Sequence, residues 1–410
     1  MNIRQQTLIS FDDLMNLQTK PKLLLILDSL ELSSISKELN STSNKGPNGY
    51  NPEAILRALL AQQIENIPSR AALVRRLKTD PVFRYCCGFH VAGSVPSEAT
   101  FSRYYSRLAT SNSLKNFFYQ LVDQAIDMDI IDTSTLAIDS TKLESYERPI
   151  TKKKVDKNNS DTPDWGSKFD SHRNQITWFG WKVHLVSDCK GELPLDFVIT
   201  PANEADSVMA LPLVEMVYQR LNSKGIQIPE YWTMDSGYDV KEIYREINDK
   251  YQAQAIIPIN KRRAKEPPAG YYDFKGTPVC SGGHKMVYWG HYNGCNKFRC
   301  PHVLGKVECC HGSAWCSDSN YGHVVKTRVK KDPRFISIPH RDSKGWQEIY
   351  DKRTSVERTF SRLKEHLNLE NITVMGAKKA EVHVLLSCIS LLAGKIAIEK
   401  QKDKQLSTAA

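Results

Sequence analysis

Near residue 130 the apolar residues change their period, and that change constrains the fold more than any other feature of the chain. Before it, apolar side chains recur three or four positions apart, as an amphipathic helix requires. After it they alternate, or run together over short stretches, as half-buried or buried strands require. Helices followed by strands alternating with helices predict an all-α N-terminal part and an α/β remainder with a mixed sheet.

In the first part, Ile55, Leu56, Leu59 and Leu60 follow Pro52, which suits a first helical turn. Ser69 is placed to cap a second helix, with Leu73, Val74 and Leu77 on one face and Arg70, Arg75, Arg76 and Lys78 on the other. Val95-Pro96-Ser97 precede a third, whose inner face is Phe101, Tyr104, Tyr105 and Leu108 and whose outer face carries Ser102, Arg103 and Arg107. This is the pattern of the short helix after the turn in a helix-turn-helix unit. Residues 51–120 hold nine Lys plus Arg against four acids, half of the chain's formal charge of +10. A solvated helix face accounts for such charges as readily as a bound polyanion does.

Beyond the change of period, strands are expected at 135–139, 178–187, 195–200, 231–235 and 253–259, with helices at 207–221 and 240–248. Regular patterning stops over 260–331, a basic stretch with six of the ten Cys, which reads as an insertion. It resumes at 334–338, a single helix over 344–367 and an apolar helix from 381. Residues 40–49 read as a linker, 152–163 as a polar loop and 400–410 as a disordered tail. The expected divisions are a helical DNA-binding domain at 1–130, the core at 131–260, the Cys-rich insertion at 261–332 and the end of the core at 333–399. The apolar run 382–398 contains Ser387, Ser390 and Lys395 and falls short of the ~20 residues that a membrane span needs, so it reads as a buried helix with no membrane partner. No secretory signal is visible, and ten Cys inside a cell imply free thiols or a metal rather than disulfides.

Asp139 and Asp235 each follow an apolar strand segment, Leu136-Ala-Ile138 and Tyr231-Trp-Thr-Met234, and so should sit at the carboxyl edge of a sheet, where ligands gather. Glu357 flanks the apolar face Val356, Phe360 and Leu363 of a helix. Taken singly, each acid is equally well a turn former or a surface charge. Together they would form an oxygen-only cage of the kind that Mg²⁺ or Mn²⁺ prefers. Two such ions about 4 Å apart serve phosphodiester chemistry.

The spacing Tyr350, two residues, Arg353, three residues, Glu357, six residues, Lys364 resembles the Y-(2)-R-(3)-E-(6)-K signature of the DDE transposases of bacterial insertion sequences. Ile138-Asp-Ser-Thr141, Asp235-Ser-Gly-Tyr238 and Gly180-Trp-Lys-Val-His184 resemble that family's first-Asp, second-Asp and intervening-strand motifs, in the family's order. Residues 50–108 look like its helical N-terminal domain, so the likeness spans about 50–392. It implies a ribonuclease-H-like core in which Asp139, Asp235 and Glu357 are catalytic and hold two Mg²⁺ or Mn²⁺ ions. Arg353 and Lys364 would then contact phosphates at the element's end, with Tyr350 positioning the same strand. Steps of 3, 4 and 7 would align these four residues on one helical stripe. Arg75, Arg76, Arg103 and Arg107 are the N-terminal candidates for DNA contact.

Cys280, Cys295, Cys300, Cys309, Cys310 and Cys316 are interleaved with His284, His291, His302 and His311, with no CxxC pair. The resemblance implies a structural zinc on Cys280, Cys300, Cys309 and Cys316; unligated thiols in a loosely packed insertion fit the same residues. The function implied is a transposase that binds the terminal inverted repeats of its own element, cleaves the ends and joins the 3′ hydroxyl to target DNA. It would act as a homodimer on double-stranded DNA, in the cytoplasm at the nucleoid. A metal-dependent nuclease without strand transfer and a catalytically decayed DNA-binding protein are the alternatives.

Overall fold

The computed structural model describes residues 10–17, 20–39, 49–152, 155, 161–169, 172, 174–261, 271–312 and 315–409. The expected linker therefore lies almost wholly outside the described residues, as do much of the 152–163 loop and the first, basic part of the insertion.

Eight helices precede residue 130 among the described residues: α1 (Phe11–Asn16), α2 (Lys22–Asp28), α3 (Ser33–Leu39), α4 (Pro52–Ile64), α5 (Arg70–Thr79), α6 (Pro81–Cys86), α7 (Glu98–Leu108) and α8 (Ser113–Asp127). Their starts follow local chemistry. Asn51, Ser69, Asp80 and Ser97 each accept a bond from a backbone amide two or three residues on, satisfying donors that the first turn leaves open. Several arginines counted as an outward basic face are used inside the fold. Arg57 donates to the Cys86 carbonyl and pairs with Asp28 at 2.7 Å, Arg70 donates to the Thr373 carbonyl, and Arg84 donates to the Leu77 and Lys78 carbonyls.

The main sheet contains β1 (Thr135–Glu144), β2 (Asp164–Phe169), β3 (Gln175–Asp188) and β4 (Pro194–Pro201). Helix α9 (Asp206–Ser223) leads to β5 (Tyr231–Thr233), and α10 (Lys241–Asp249) to β6 (Gln254–Ile256). β3 pairs antiparallel with β1, β2 and β4, whereas β5 pairs parallel with β1 and β6 with β5, so the sheet is mixed. β2 was not foreseen, because its sequence DWGSKF has little apolar alternation; it pairs with the first half of β3 and lengthens that strand into a two-stranded arm. Gly166 is required there, since a Cβ would fall 2.4 Å from the Trp178 ring.

The insertion forms a three-stranded antiparallel sheet, β7 (Val287–Tyr292), β8 (Cys295–Arg299) and β9 (Val324–Arg328). The chain then returns through α11 (Lys344–Asp351), α12 (Thr354–Glu365) and α13 (Ala377–Ala409). The single helix expected over 344–367 is thus two. At the break the backbone turns by i to i+3 bonds, from the Arg353 amide to the Tyr350 carbonyl at 2.9 Å and from the Ser355 amide to the Lys352 carbonyl at 3.0 Å. The Thr354 hydroxyl also occupies the Asp351 carbonyl at 2.9 Å. The expected disordered tail is likewise corrected: α13 continues to Ala409, as a segment rich in Lys and Gln without Gly or Pro permits. Helix α13 is long and apolar enough to cross a membrane, but 72% of its apolar window is buried inside the protein. It packs on α2, α4, α7 and α8 on one side and on β4 and α12 on the other. An apolar surface all round has that consequence, and it joins the N-terminal helices and the sheet in one continuous core.

Candidate active site

Asp139 stands in the middle of β1, not at its end as expected, because antiparallel pairing with β3 carries β1 on to Glu144. The parallel partner stops earlier. Pairing of β1 with β5 ends at Ala137 opposite Thr233, so Asp139 overhangs the carboxyl edge of the parallel strands. Asp235 lies two residues past the same edge, where its Oδ1 accepts the Gly237 amide at 2.7 Å and caps a short 3₁₀ turn. Glu357 is in the first turn of α12, which packs across β1 and β3.

Asp139 lies within electrostatic reach of both other carboxylates. Burial, and then the charges of Asp235 and Glu357, push the Asp139 carboxyl up to about 7, against the opposing effects of the Ser140 amide and Arg353. The Arg353 guanidinium lies between two of the acids, 3.6 Å from Asp139 Oδ2 and 2.6 Å from Glu357 Oε1. Tyr350 stacks on Trp346 at 5.1 Å and 17°, and Arg353 lies 5.9 Å from the Tyr350 ring. Although the helix is broken, Tyr350, Arg353 and Glu357 remain mutual neighbours. Lys364, further along α12, is 3.1 Å from Glu370. As the side chains stand, no group of three His, Cys, Asp or Glu among the described residues could hold a metal ion.

Two further lysines border this place. Lys168, on the arm, has its ammonium pushed down by partial burial and then by Lys364 and Lys142, while Asp139 and Glu370 act in the opposite sense. Lys168 thus lies within electrostatic reach of Asp139, of Lys364 on α12 and of Lys142 on β1, the last paired with Glu144 at 2.7 Å. The lysines of the two strands escaped the sequence reading because β2 carries no clear strand period and Lys142 lies beyond the segment expected to be β1. Behind the carboxylates, Tyr238 is fully buried, its hydroxyl pushed up by burial and then by Asp139, Asp206 and Asp235. His184 is also buried, bonded through Nε2 to the Thr200 hydroxyl at 2.9 Å and kept neutral by desolvation, which lowers it to about 4.

The N-terminal candidates Arg75, Arg76, Arg103 and Arg107 are all exposed. Arg76 pairs with Asp80 at 2.9 Å, and Arg107 donates to the Leu39 carbonyl at 3.2 Å. In the insertion, the Cys316 thiol is raised by burial and then by Cys300, Cys280 and Cys309, so these four thiols are neighbours. A Cβ on Gly282 would meet the sulfurs of Cys309 and Cys280 at 3.5 and 3.8 Å. Cys295 instead faces a hollow on the outer side of the small sheet, and Cys310 is exposed.

The family model described as a transposase DDE domain matches residues 131–393, and that of a second transposase domain, DUF772, matches residues 12–107. No curated protein matches the sequence. Among solved structures, the chain is similar to a piggyBac transposase in a synaptic complex with hairpin DNA, at 10% identity and a TM-score of 0.36, over 92% of this chain and 73% of that one.

Proposed function

This chain belongs to the family of DDE-domain transposases, and from that premise we propose that it binds the terminal inverted repeats of its own element, cleaves the ends by metal-dependent hydrolysis and joins the 3′ hydroxyl to target DNA. The observation that supports this reading most strongly is that Arg353 bridges Asp139 and Glu357 while Asp235, at the carboxyl edge of the same parallel strands, acts electrostatically on Asp139. The order β4-β3-β1-β5-β6, antiparallel on one side of β1 and parallel on the other, fits a ribonuclease-H-like core.

The carboxylates fit divalent cations by donor type, and the Asp139 carboxyl, raised first by burial and then by the charges of Asp235 and Glu357, is one whose ionised form a bound cation would favour. Two Mg²⁺ or Mn²⁺ ions held by Asp139, Asp235 and Glu357 would activate the attacking hydroxyl and stabilise the leaving oxygen. The chain's own residues do the rest. Arg353 neutralises Asp139 and Glu357 in their absence, and on release from Glu357 its guanidinium is free for a phosphate. Tyr350, fixed by Trp346, holds Arg353 at the mouth of the site, and Lys142, Lys168 and Lys364 receive the charge of the bound strand. Arg75, Arg76, Arg103 and Arg107 on α5 and α7 are the proposed contacts to the repeats. Because two ends must be joined, two active sites and hence a homodimer on DNA are required.

Incubating the purified chain with Mg²⁺ and a pre-cut repeat end should give strand-transfer products; cleavage of intact ends without transfer would favour the nuclease alternative. In the same assay Arg353→Ala and Lys364→Ala should each weaken end binding and flatten its salt dependence by about one phosphate contact. An unchanged salt slope would remove them from the DNA interface.

By donor type the Cys280, Cys300, Cys309 and Cys316 thiols suit a soft tetrahedral ion, which would draw them together, fold the insertion and take no part in the chemistry. Metal analysis of the purified chain should find one zinc per molecule, lost in Cys280→Ser or Cys309→Ser. Zinc content unaffected by both substitutions would assign the cluster as free thiols.

A further inference from the structure

The insertion's sheet has two unlike faces. Alternation along β8 sends Asn296 and Phe298 inward, both fully buried, with Asn296 Nδ2 donating to the Ser337 carbonyl at 2.9 Å and Phe298 set edge-on to His340 at 5.0 Å. The intervening residues, Cys295, Lys297 and Arg299, point to the opposite face. Across the strand pair Lys297 stands opposite Lys326, and Cys295 opposite Arg328. Like charges directly opposite one another destabilise a sheet. Among the described residues no carboxylate forms an ion pair with Lys297, Lys326 or Arg328, and none lines the hollow of about 590 Å³ that they share.

Aromatic rings stand among these cations. Trp289 is 48% exposed and Tyr292 79% exposed, large apolar surfaces left in water on one small face. The Arg299 guanidinium lies 3.4 Å from the Tyr321 ring centre and 4.4 Å from that of Trp289, and its Nη2 donates to the Tyr321 carbonyl at 2.9 Å. Trp289 is thus held against a stacked cation and presents a rigid ring. A partner for this face must bring negative charge at intervals and flat π surfaces between. A duplex offers the first and hides the second inside its base stack; an acidic polypeptide has no obligatory flat surface.

We propose that the outer face of the β7–β9 sheet binds an unpaired DNA strand, with Trp289 and Tyr292 stacking on bases and Lys297, Lys326 and Arg328 receiving phosphates. The choice of DNA rests on the transposase reading; the stacking face does not. Such platforms combine base–aromatic stacking with a basic groove and tolerate any sequence.

The test uses the full chain and a fluorescently labelled oligothymidylate of about a dozen nucleotides, compared with a blunt duplex carrying the repeat. Trp289→Ala and Tyr292→Ala should each weaken oligothymidylate binding about ten-fold and leave repeat-duplex binding unchanged, while Trp289→Phe keeps most of the affinity. Lys326→Ala should flatten the salt dependence by about 0.7 of a charge, the single-strand value. Tyr292 is mostly exposed, so its loss leaves the unfolding temperature in place, which the same samples report, and Trp289→Phe keeps a ring against Arg299 where Trp289→Ala gives that stack up. The proposal is overturned if oligothymidylate does not bind, if the lysine variant weakens it and the aromatic variants do not, if duplex binding falls in parallel, or if polyglutamate competes as well as oligothymidylate. Stacking-dependent binding of oligothymidylate by a chain that neither binds nor cuts repeat ends would sink the transposase reading and leave this one standing.

Discussion

Asp139→Asn, Asp235→Asn and Glu357→Gln should each lower Mg²⁺-dependent end cleavage by about a thousandfold or more, while specific binding of the repeat stays within a few-fold of wild type. Each substitution keeps the shape of the side chain and removes a full charge. In a site built only from carboxylates, that charge is what holds a hard cation. Of the three, Asp139→Asn carries a second, opposite expectation. Its carboxyl is raised to about 7 in the folded, metal-free protein from an ordinary 3.8, so the folded state binds a proton more tightly than the unfolded chain. Stability is therefore full below about 4 and is progressively lost as pH rises toward about 7. The neutral Asn escapes that loss. In EDTA at pH 7 the Asn variant should unfold at a higher temperature than wild type, with the difference vanishing at pH 4. A variant both inactive and more stable identifies a residue held in place for chemistry at a cost to folding. Wild-type cleavage in any one of the three variants would remove that residue from the active site.

How much of this was legible depends on the range of the forces involved. The change of period near residue 130, the caps at Ser69 and Ser97 and the strands around Ala137 and Val183 are set by neighbours close in sequence, and they can be read there. The positions of Asp139 and Asp235 beside the parallel strands were legible because each follows an apolar run that had to be a strand. What failed were features decided by distant partners. Asp139 is internal to β1 because β3 pairs on after β5 has stopped. Lys168 reaches the site because β2 finds a partner in β3, which its own residues do not announce. Arg57 and Arg70 looked like surface charge because their acceptors, the Cys86 and Thr373 carbonyls, are 29 and 303 residues away. The break between α11 and α12 is local, made by tight i to i+3 backbone bonds and the Thr354 hydroxyl, but it was hidden because the apolar spacing runs straight through it.

The second large effect is expected at Asp239, four residues after Asp235. Its side chain is fully buried, and its oxygens take Arg334 Nε at 2.9 Å and Nη2 at 2.8 Å, the Tyr244 hydroxyl at 3.0 Å and the Asn260 amide at 2.7 Å. Asn260 is where the chain leaves the core for the insertion and Arg334 is near where it returns, so one carboxylate ties both stalks to the turn that presents Asp235. Burial opposes the charge, but Arg334, the Asn260 amide and Tyr244 outweigh it and hold the carboxyl below its usual range. Asp239→Ala strands a mostly buried guanidinium, a hydroxyl and an amide, and should cost about 3–5 kcal/mol. A fall in unfolding temperature of roughly 3–6 °C would follow for a chain of this size. Because the folded value is depressed, the ion pair's contribution is present above about 4 and disappears as pH falls through the folded value. Unfolding curves of wild type and Asp239→Asn should accordingly converge in strong acid and separate toward neutrality. Replacing both partners, as Asp239→Leu with Arg334→Met, removes the stranded charge and should recover part of the stability. Cleavage should not recover with it, since nothing then fixes the Asp235 turn against the insertion. Cleavage returning in step with stability would show that Asp239 supports the fold alone and has no part in placing the catalytic acid.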